Sequence, residues 1–200
     1  MFGRAATAFS GGCVVEGTAE PPPIFPLASR LPGPQMAVMS TRLQKITPFL
    51  WYTKEAEEAA RHYASIFPDS RVDRVVAMPS DSPSGPAGSV KVVDFTLFGQ
   101  RFTAMSAGPH DPFNHAISFV VNCETQDEID RYWTALLDGG GKAEQCGWLR
   151  DRFGVAWQIT PTVLVDMMGS PDTERGKRAA QAMMKMVKLD IAALQRAYRG

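Results

Sequence analysis

The segment Ile46-Thr47-Pro48-Phe49-Leu50-Trp51-Tyr52 and the residues behind it decide the fold. Pro48 suits the first position of a strand, where its missing N–H costs no ladder bond, and Phe49 to Tyr52 are bulky strand formers. Ala56, Ala59, Ala60, Tyr63 and Phe67 then fall at i, i+3, i+4, i+7 and i+11, one face of a helix that Pro68-Asp69 ends. Arg71–Ala77 reads as a second strand, and Pro79 to Gly88 as a loop. Residues 90–98 alternate, with Val93, Phe95 and Leu97 on one face and Val92, Asp94 and Thr96 on the other. Gly99-Gln100 reads as a two-residue hairpin connection into a strand over residues 101–106. The order is β-α-β-β-β.

The same order follows again. Residues 115–121 form a strand with Ile117, Phe119 and Val121 on one face. Thr125-Gln126-Asp127-Glu128 is a capping box, in which the threonine takes an orphan backbone N–H and the glutamate reaches back. The helix it opens carries Ile129, Tyr132, Trp133, Leu136 and Leu137 on one stripe, and Gly139 supplies a left-handed stop. Three short strands follow, at 142–145, 147–150 and 155–159, with a turn at Arg152-Phe153-Gly154. Placing Tyr63 on Tyr132 pairs Leu50 with Phe119, Tyr52 with Val121 and Phe67 with Leu136. Element pattern recurs more than residue identity, and the reading is an internal duplication.

Residues 1–42 differ. Pro21, Pro22, Pro23, Pro26, Pro32 and Pro34 crowd a stretch with neither helical nor strand periodicity. The expectation is a disordered Pro-rich tail or a mis-called start, since Met36 and Met39 lie just before the first patterned segment. Only Arg4 precedes any apolar block, and Glu16 and Glu20 argue against a transit peptide. Beyond Pro161 the chain is expected to be helical, with Ser170-Pro171 opening one helix, an apolar stripe at Ala180, Met183, Met184 and Val187, and Asp190 capping a last helix through Ile191, Leu194 and Tyr198. The division is thus 1–42, a domain at 43–163 with modules near 46–106 and 114–160, and a helical appendage at 164–200.

Composition narrows the function. Among 200 residues, 21 Lys and Arg balance 21 Asp and Glu, so the broad basic field of a non-specific nucleic-acid binder is missing. The last helices hold a local excess of basic residues, read as a solvated face. No apolar run approaches the ~20 residues of a membrane span. Cys13, Cys123 and Cys146 cannot all pair and form no CxxC, which fits a reducing cytoplasm and excludes a disulfide scaffold. The glycine run Gly139-Gly140-Gly141 follows a helix rather than opening one, so no nucleotide or S-adenosylmethionine turn is indicated.

Five stretches carry a resemblance. Residues 46–51, Ile66-Phe67-Pro68-Asp69-Ser70, Gly99-Gln100-Arg101-Phe102, residues 113–124 (Phe113-Asn114-His115 through Cys123-Glu124) and residues 146–159 (Cys146-Gly147-Trp148 through Trp157-Gln158-Ile159) resemble the PhnB-like branch of the vicinal oxygen chelate superfamily, often labelled 3-demethylubiquinone-9 3-methyltransferase. The resemblance implies an α+β protein of tandem βαβββ modules, the glyoxalase/bleomycin resistance/dioxygenase fold, curled into a cup that binds or transforms a small molecule. It also implies a homodimer and, for the wider superfamily, a divalent metal in the cup. By position the metal falls to His115 and Gln158, while the first module offers only Thr47 or Pro48 and Ala104 or Met105. About three protein ligands are usual at a catalytic metal, so a non-catalytic, drug-sequestering binding protein is the alternative.

Other side chains carry paired readings. Asp94 and Thr96 point into the cup if alternation holds, making Asp94 a general base, or else Asp94 pairs with Arg101 across the hairpin. Cys146 is a nucleophile or a buried structural thiol. Trp51 and Trp157 line the cup as ligand-binding walls or fill the core, as does Phe119. His115 binds metal or ligand, or bonds a backbone carbonyl, and His62 lies at the surface.

Overall fold

A computed structural model describes residues 44–109 and 111–200; Cys13 and the expectation for residues 1–42 lie outside them. The duplication is present as two four-stranded sheets of identical topology. In the first, β1 (Phe49–Tyr52), β2 (Arg71–Ala77), β3 (Lys91–Leu97) and β4 (Gln100–Ser106) lie in the order β1-β4-β3-β2. In the second, β5 (Phe119–Cys123), β6 (Lys142–Ala143), β7 (Trp148–Arg150) and β8 (Ala156–Pro161) lie in the order β5-β8-β7-β6. In each the first strand runs parallel to the fourth and the other neighbours are antiparallel. Helices α1 (Ala56–Ile66) and α2 (Gln126–Leu137) cross over after the first strands.

Alternation explains which face each helix covers. Leu50, Tyr52, Val93, Phe95 and Ala104 are buried beneath α1, whose Ala56, Ala59 and Ala60 let the helix approach closely and whose Tyr63 is fully enclosed. In the second module Val121, Leu149, Trp157 and Ile159 meet Ile129, Tyr132 and Leu136 of α2. The two inner faces share one core. Phe67 lies 5.2 Å from the Tyr132 ring and 5.5 Å from Trp157, and Phe102 lies 5.2 Å from Phe119.

Several local expectations shift. The hairpin turn is Phe98-Gly99, one residue earlier than expected, with φ of 48° and 75°. Positive φ at both positions is the primed turn whose twist matches the strands; Phe98 tolerates it while packing 5.2 Å from Phe67. Strand β5 begins at Phe119, because His115 to Ile117 form a turn that Asn114 closes by accepting the N–H of Ala116. The expected strand at 142–145 is two residues long and gives way to a 3-10 turn over Gln145–Gly147, with Cys146 at φ 61°. Thr125 caps α2 through the N–H of Glu128, whose carboxylate returns to Glu124 rather than to the threonine.

Three helices follow: α3 (Thr162–Met168), α4 (Thr173–Met183) and α5 (Ile191–Arg199). Asp172, not Ser170, caps α4, because its carboxylate reaches the N–H of Arg175; Asp190 caps α5 as expected. The buried side of α4 is Gly176 and Ala179, and Met184 and Val187 are exposed, so the apolar stripe is rotated from the expected one. Leu164, Met167, Ala179, Leu189 and Leu194 close a second core. The chain after α4 is clasped to the second module, where Cys146 and Gly147 donate their N–H groups to Met186 and Val187 at 2.8 Å. Strand β2 forms an edge of the first sheet, is exposed almost throughout, and carries a register shift between Val72 and Arg74.

Candidate functional site

With the inner faces committed to helices, each sheet keeps an outer face. On the first, the register sets three rows. Arg101, Thr96 and Arg71 lie abreast, then Phe49, Thr103, Asp94 and Arg74, then Trp51, Met105, Val92 and Val76. Asp94 accepts from Arg74 at 2.6 and 3.0 Å and from the Thr103 hydroxyl at 3.0 Å. Asp73, at the strand irregularity, takes the Thr96 hydroxyl at 2.6 Å and Arg71 at 2.7 Å. A cavity of about 430 Å³ lies over Asp73, Arg74, Asp94, Arg101 and Thr103.

On the second sheet the same parity turns Trp148, Arg150, Val120, Asn122, Gln158 and Thr160 to the outer face, where Val120 and Asn122 are exposed and the others half-buried. Glu144 sits at its margin and accepts from Arg150 at 2.9 Å, with His115 Nε2 at 2.6 Å. Burial alone would raise the Glu144 carboxyl, but these two partners outweigh it and hold the group below the ordinary glutamate range. The His115 ring lies 5.7 Å from that of Trp148, and the Gln158 amide donates to Ser118 Oγ at 2.8 Å.

Between the modules lies a buried carboxylate that periodicity did not single out. Asp151 is 4% exposed and accepts from four donors: the Tyr63 hydroxyl at 2.6 Å, Trp157 Nε1 at 2.8 Å, and the N–H groups of Phe153 and Val155 at 2.9 and 3.0 Å. Desolvation raises its pKa against the pull of those bonds, and burial pushes the Tyr63 and Tyr52 phenols well above their ordinary value. The Asp-x-x-Gly turn at 151–154 was the available signal, since a turn aspartate bonds the backbone two residues on.

The expected site residues separate accordingly. Asp94 and Trp51 do face outward, but the partner of Asp94 is Arg74 and not Arg101, because Arg74 stands opposite it across β2. Trp157 belongs to the core: it shares the inward parity of Ile159, is 3% exposed, and spends its indole N–H on Asp151. Phe119 is a half-buried core neighbour. Cys146 is half-buried in the 3-10 turn, while burial drives the Cys123 thiol up to about 12. His62 is half-buried rather than fully at the surface; it packs 5.8 Å from Phe153, with Nε2 enclosed and without a partner among the described residues, and desolvation lowers its pKa.

Among the described residues, the donors expected to hold a divalent metal are turned to other partners. Gln158 is turned to Ser118, His115 to Glu144, and the first-module positions offer Pro48, Ala104 and Met105. Among the described residues no three His, Cys, Asp or Glu side chains come together, short of the usual ligand number. No helix among the described residues is long and apolar enough to cross a membrane.

Comparison with known proteins agrees with this architecture. The model of the 3-demethylubiquinone-9 3-methyltransferase family matches residues 44–160. A solved PhnB protein from Bacillus cereus is 34% identical, with a TM-score of 0.52, over 60% of this chain and 100% of its own. A protein from Pseudomonas aeruginosa (23%, TM-score 0.46, over 60% and 98%) and a fosfomycin resistance protein from Mesorhizobium loti (13%, 0.46, over 66% and 100%) are also similar in structure. No curated protein matches. The tandem βαβββ sheets, the family match across both modules and the PhnB relative together place the chain in the 3-demethylubiquinone-9 3-methyltransferase family, the PhnB-like branch of the vicinal oxygen chelate superfamily.

Proposed function

We propose that the protein binds a small, partly apolar molecule against the outer faces of its sheets, in a cup that a second copy of the chain completes, without a metal held by one chain. The observation that carries this reading is the composition of those faces. Phe49, Trp51 and Val120 remain exposed beside charged groups that already satisfy one another, as Asp94 does with Arg74 and Glu144 with Arg150. An apolar surface with few free polar groups suits retention more than turnover. The methyl transfer in the family's name finds no support in the glycine run, which ends α2: the Gly141 N–H returns to the Leu137 carbonyl at 3.0 Å.

Elemental analysis and thermal-shift titration with nickel, zinc, manganese and iron(II) test the reading. The expected result is no stoichiometric ion and stabilisation by hydrophobic ligands. One ion per chain, lost in both His115→Ala and Gln158→Ala, overturns it. Sedimentation velocity tests the second copy, and a monomer at micromolar concentration refutes that part.

A further inference from the structure

Arg101 stands apart from the other charges of its face. Asp73 is taken by Arg71 and Thr96, and Asp94 by Arg74 and Thr103. The Arg101 backbone N–H donates to Gln44, but its guanidinium makes no hydrogen bond or ion pair among the described residues, although the residue is half-buried and lines the cavity over this face. A guanidinium presents five N–H donors in a planar fork that matches a carboxylate. Four residues along the strands, about 13 Å at ~3.3 Å per residue, lies the row of Trp51, Met105, Val92 and Val76, which carries no charge.

We propose that this face takes an amphiphilic carboxylate, its head group bidentate on Arg101 and its apolar body lying along the sheet toward Trp51. The inference rests on the small-molecule binding proposed above and names the ligand class of one face. The acidic groups between the two ends do not repel the head group, because each is neutralised by its own arginine. A neutral molecule of the same length gains the apolar row but leaves the fork unused.

Binding of decanoate and of decan-1-ol, a neutral chain of the same length, is measured by tryptophan fluorescence and calorimetry below their self-association limits. In the native protein decanoate should bind about tenfold or more tighter than the alcohol, the difference expected of one charge-assisted fork. Arg101→Gln should bring decanoate down to the affinity of decan-1-ol and leave the alcohol unchanged, whereas Arg101→Lys keeps part of the preference. Trp51→Leu should weaken both ligands alike. Equal binding of acid and alcohol by the native protein, or a preference that survives Arg101→Gln, overturns the carboxylate assignment while leaving small-molecule binding standing. Failure of both probes to bind any variant overturns the assignment and counts against small-molecule binding as well. Circular dichroism of each variant identifies loss of fold, and Arg101→Lys carries the test if Arg101→Gln does not fold.

Discussion

Replacing Asp151 by alanine strands four donors at the junction of the modules. Trp157 is 3% exposed and its N–H has no other acceptor within the network, so it bears an unsatisfied-donor cost of about 1–3 kcal/mol. Tyr63 is fully enclosed but can turn to Tyr52, whose hydroxyl lies 3.3 Å away, which halves its loss. The Val155 N–H is buried and the Phe153 N–H is within reach of solvent. The sum is about 3–5 kcal/mol, a large part of a typical domain's stability. Asparagine is not conservative here. One carboxylate oxygen takes both side-chain donors and the other both backbone donors, so an amide NH₂ must face two donors whichever way it turns. Asp151→Asn should therefore cost about 2–3 kcal/mol. Urea denaturation followed by tryptophan fluorescence and circular dichroism gives both values. Tyr63→Phe should cost about 1 kcal/mol alone and almost nothing in the Asp151→Ala background, a coupling that a double-mutant cycle reads. Full additivity, or an Asp151→Asn loss below about 1 kcal/mol, refutes the claim that this carboxylate fastens the modules together.

Other outcomes follow from single contacts. Gly147 has φ 83°, and a Cβ there would stand 2.9 Å from the Ile159 carbonyl oxygen and 3.0 Å from Leu189, so Gly147→Ala should cost about 2 kcal/mol or more in a denaturant titration. Glu144→Gln should lose about 0.5–1 kcal/mol at neutral pH. Because the folded carboxyl lies below its ordinary value, this stabilisation is present above an unfolded value of ~4.3 and fades as pH falls through the folded one, so native protein and variant should converge in acid. Asp190→Ala removes the acceptor of the Ala193 N–H and should cost about 1 kcal/mol, seen as a lower Tm.

Periodicity read the modules well because both helices and the inner strand faces obey one rule, an apolar residue wherever the chain turns inward. Ala56 to Phe67 and Ile129 to Leu136 occupy the faces their spacing implies. Alternation also put Asp94 outward, while Trp51 stayed open between wall and core. It failed where pairing is non-local: nothing in the spacing says that Asp94 chooses Arg74, and the turn at His115 displaces the start of β5 by four residues. Trp157 stayed open because an aromatic suits a wall or a core equally, and its parity with Ile159 was the deciding clue. The network at Asp151 joins residues 88 positions apart, a distance no local pattern spans.

The clasp of Cys146 and Gly147 onto Met186 and Val187 has a bearing on self-association. An open sheet margin offers unpaired amides to any neighbouring chain. In the second module the amides so occupied lie in the 3-10 turn between β6 and β7, and the C-terminal segment keeps them from any neighbouring chain. The first module guards its margin differently, with the charges and irregularity of β2. Truncation after α4 would free the two turn amides for contact with another chain and leave the guarded edge at β2 as it is.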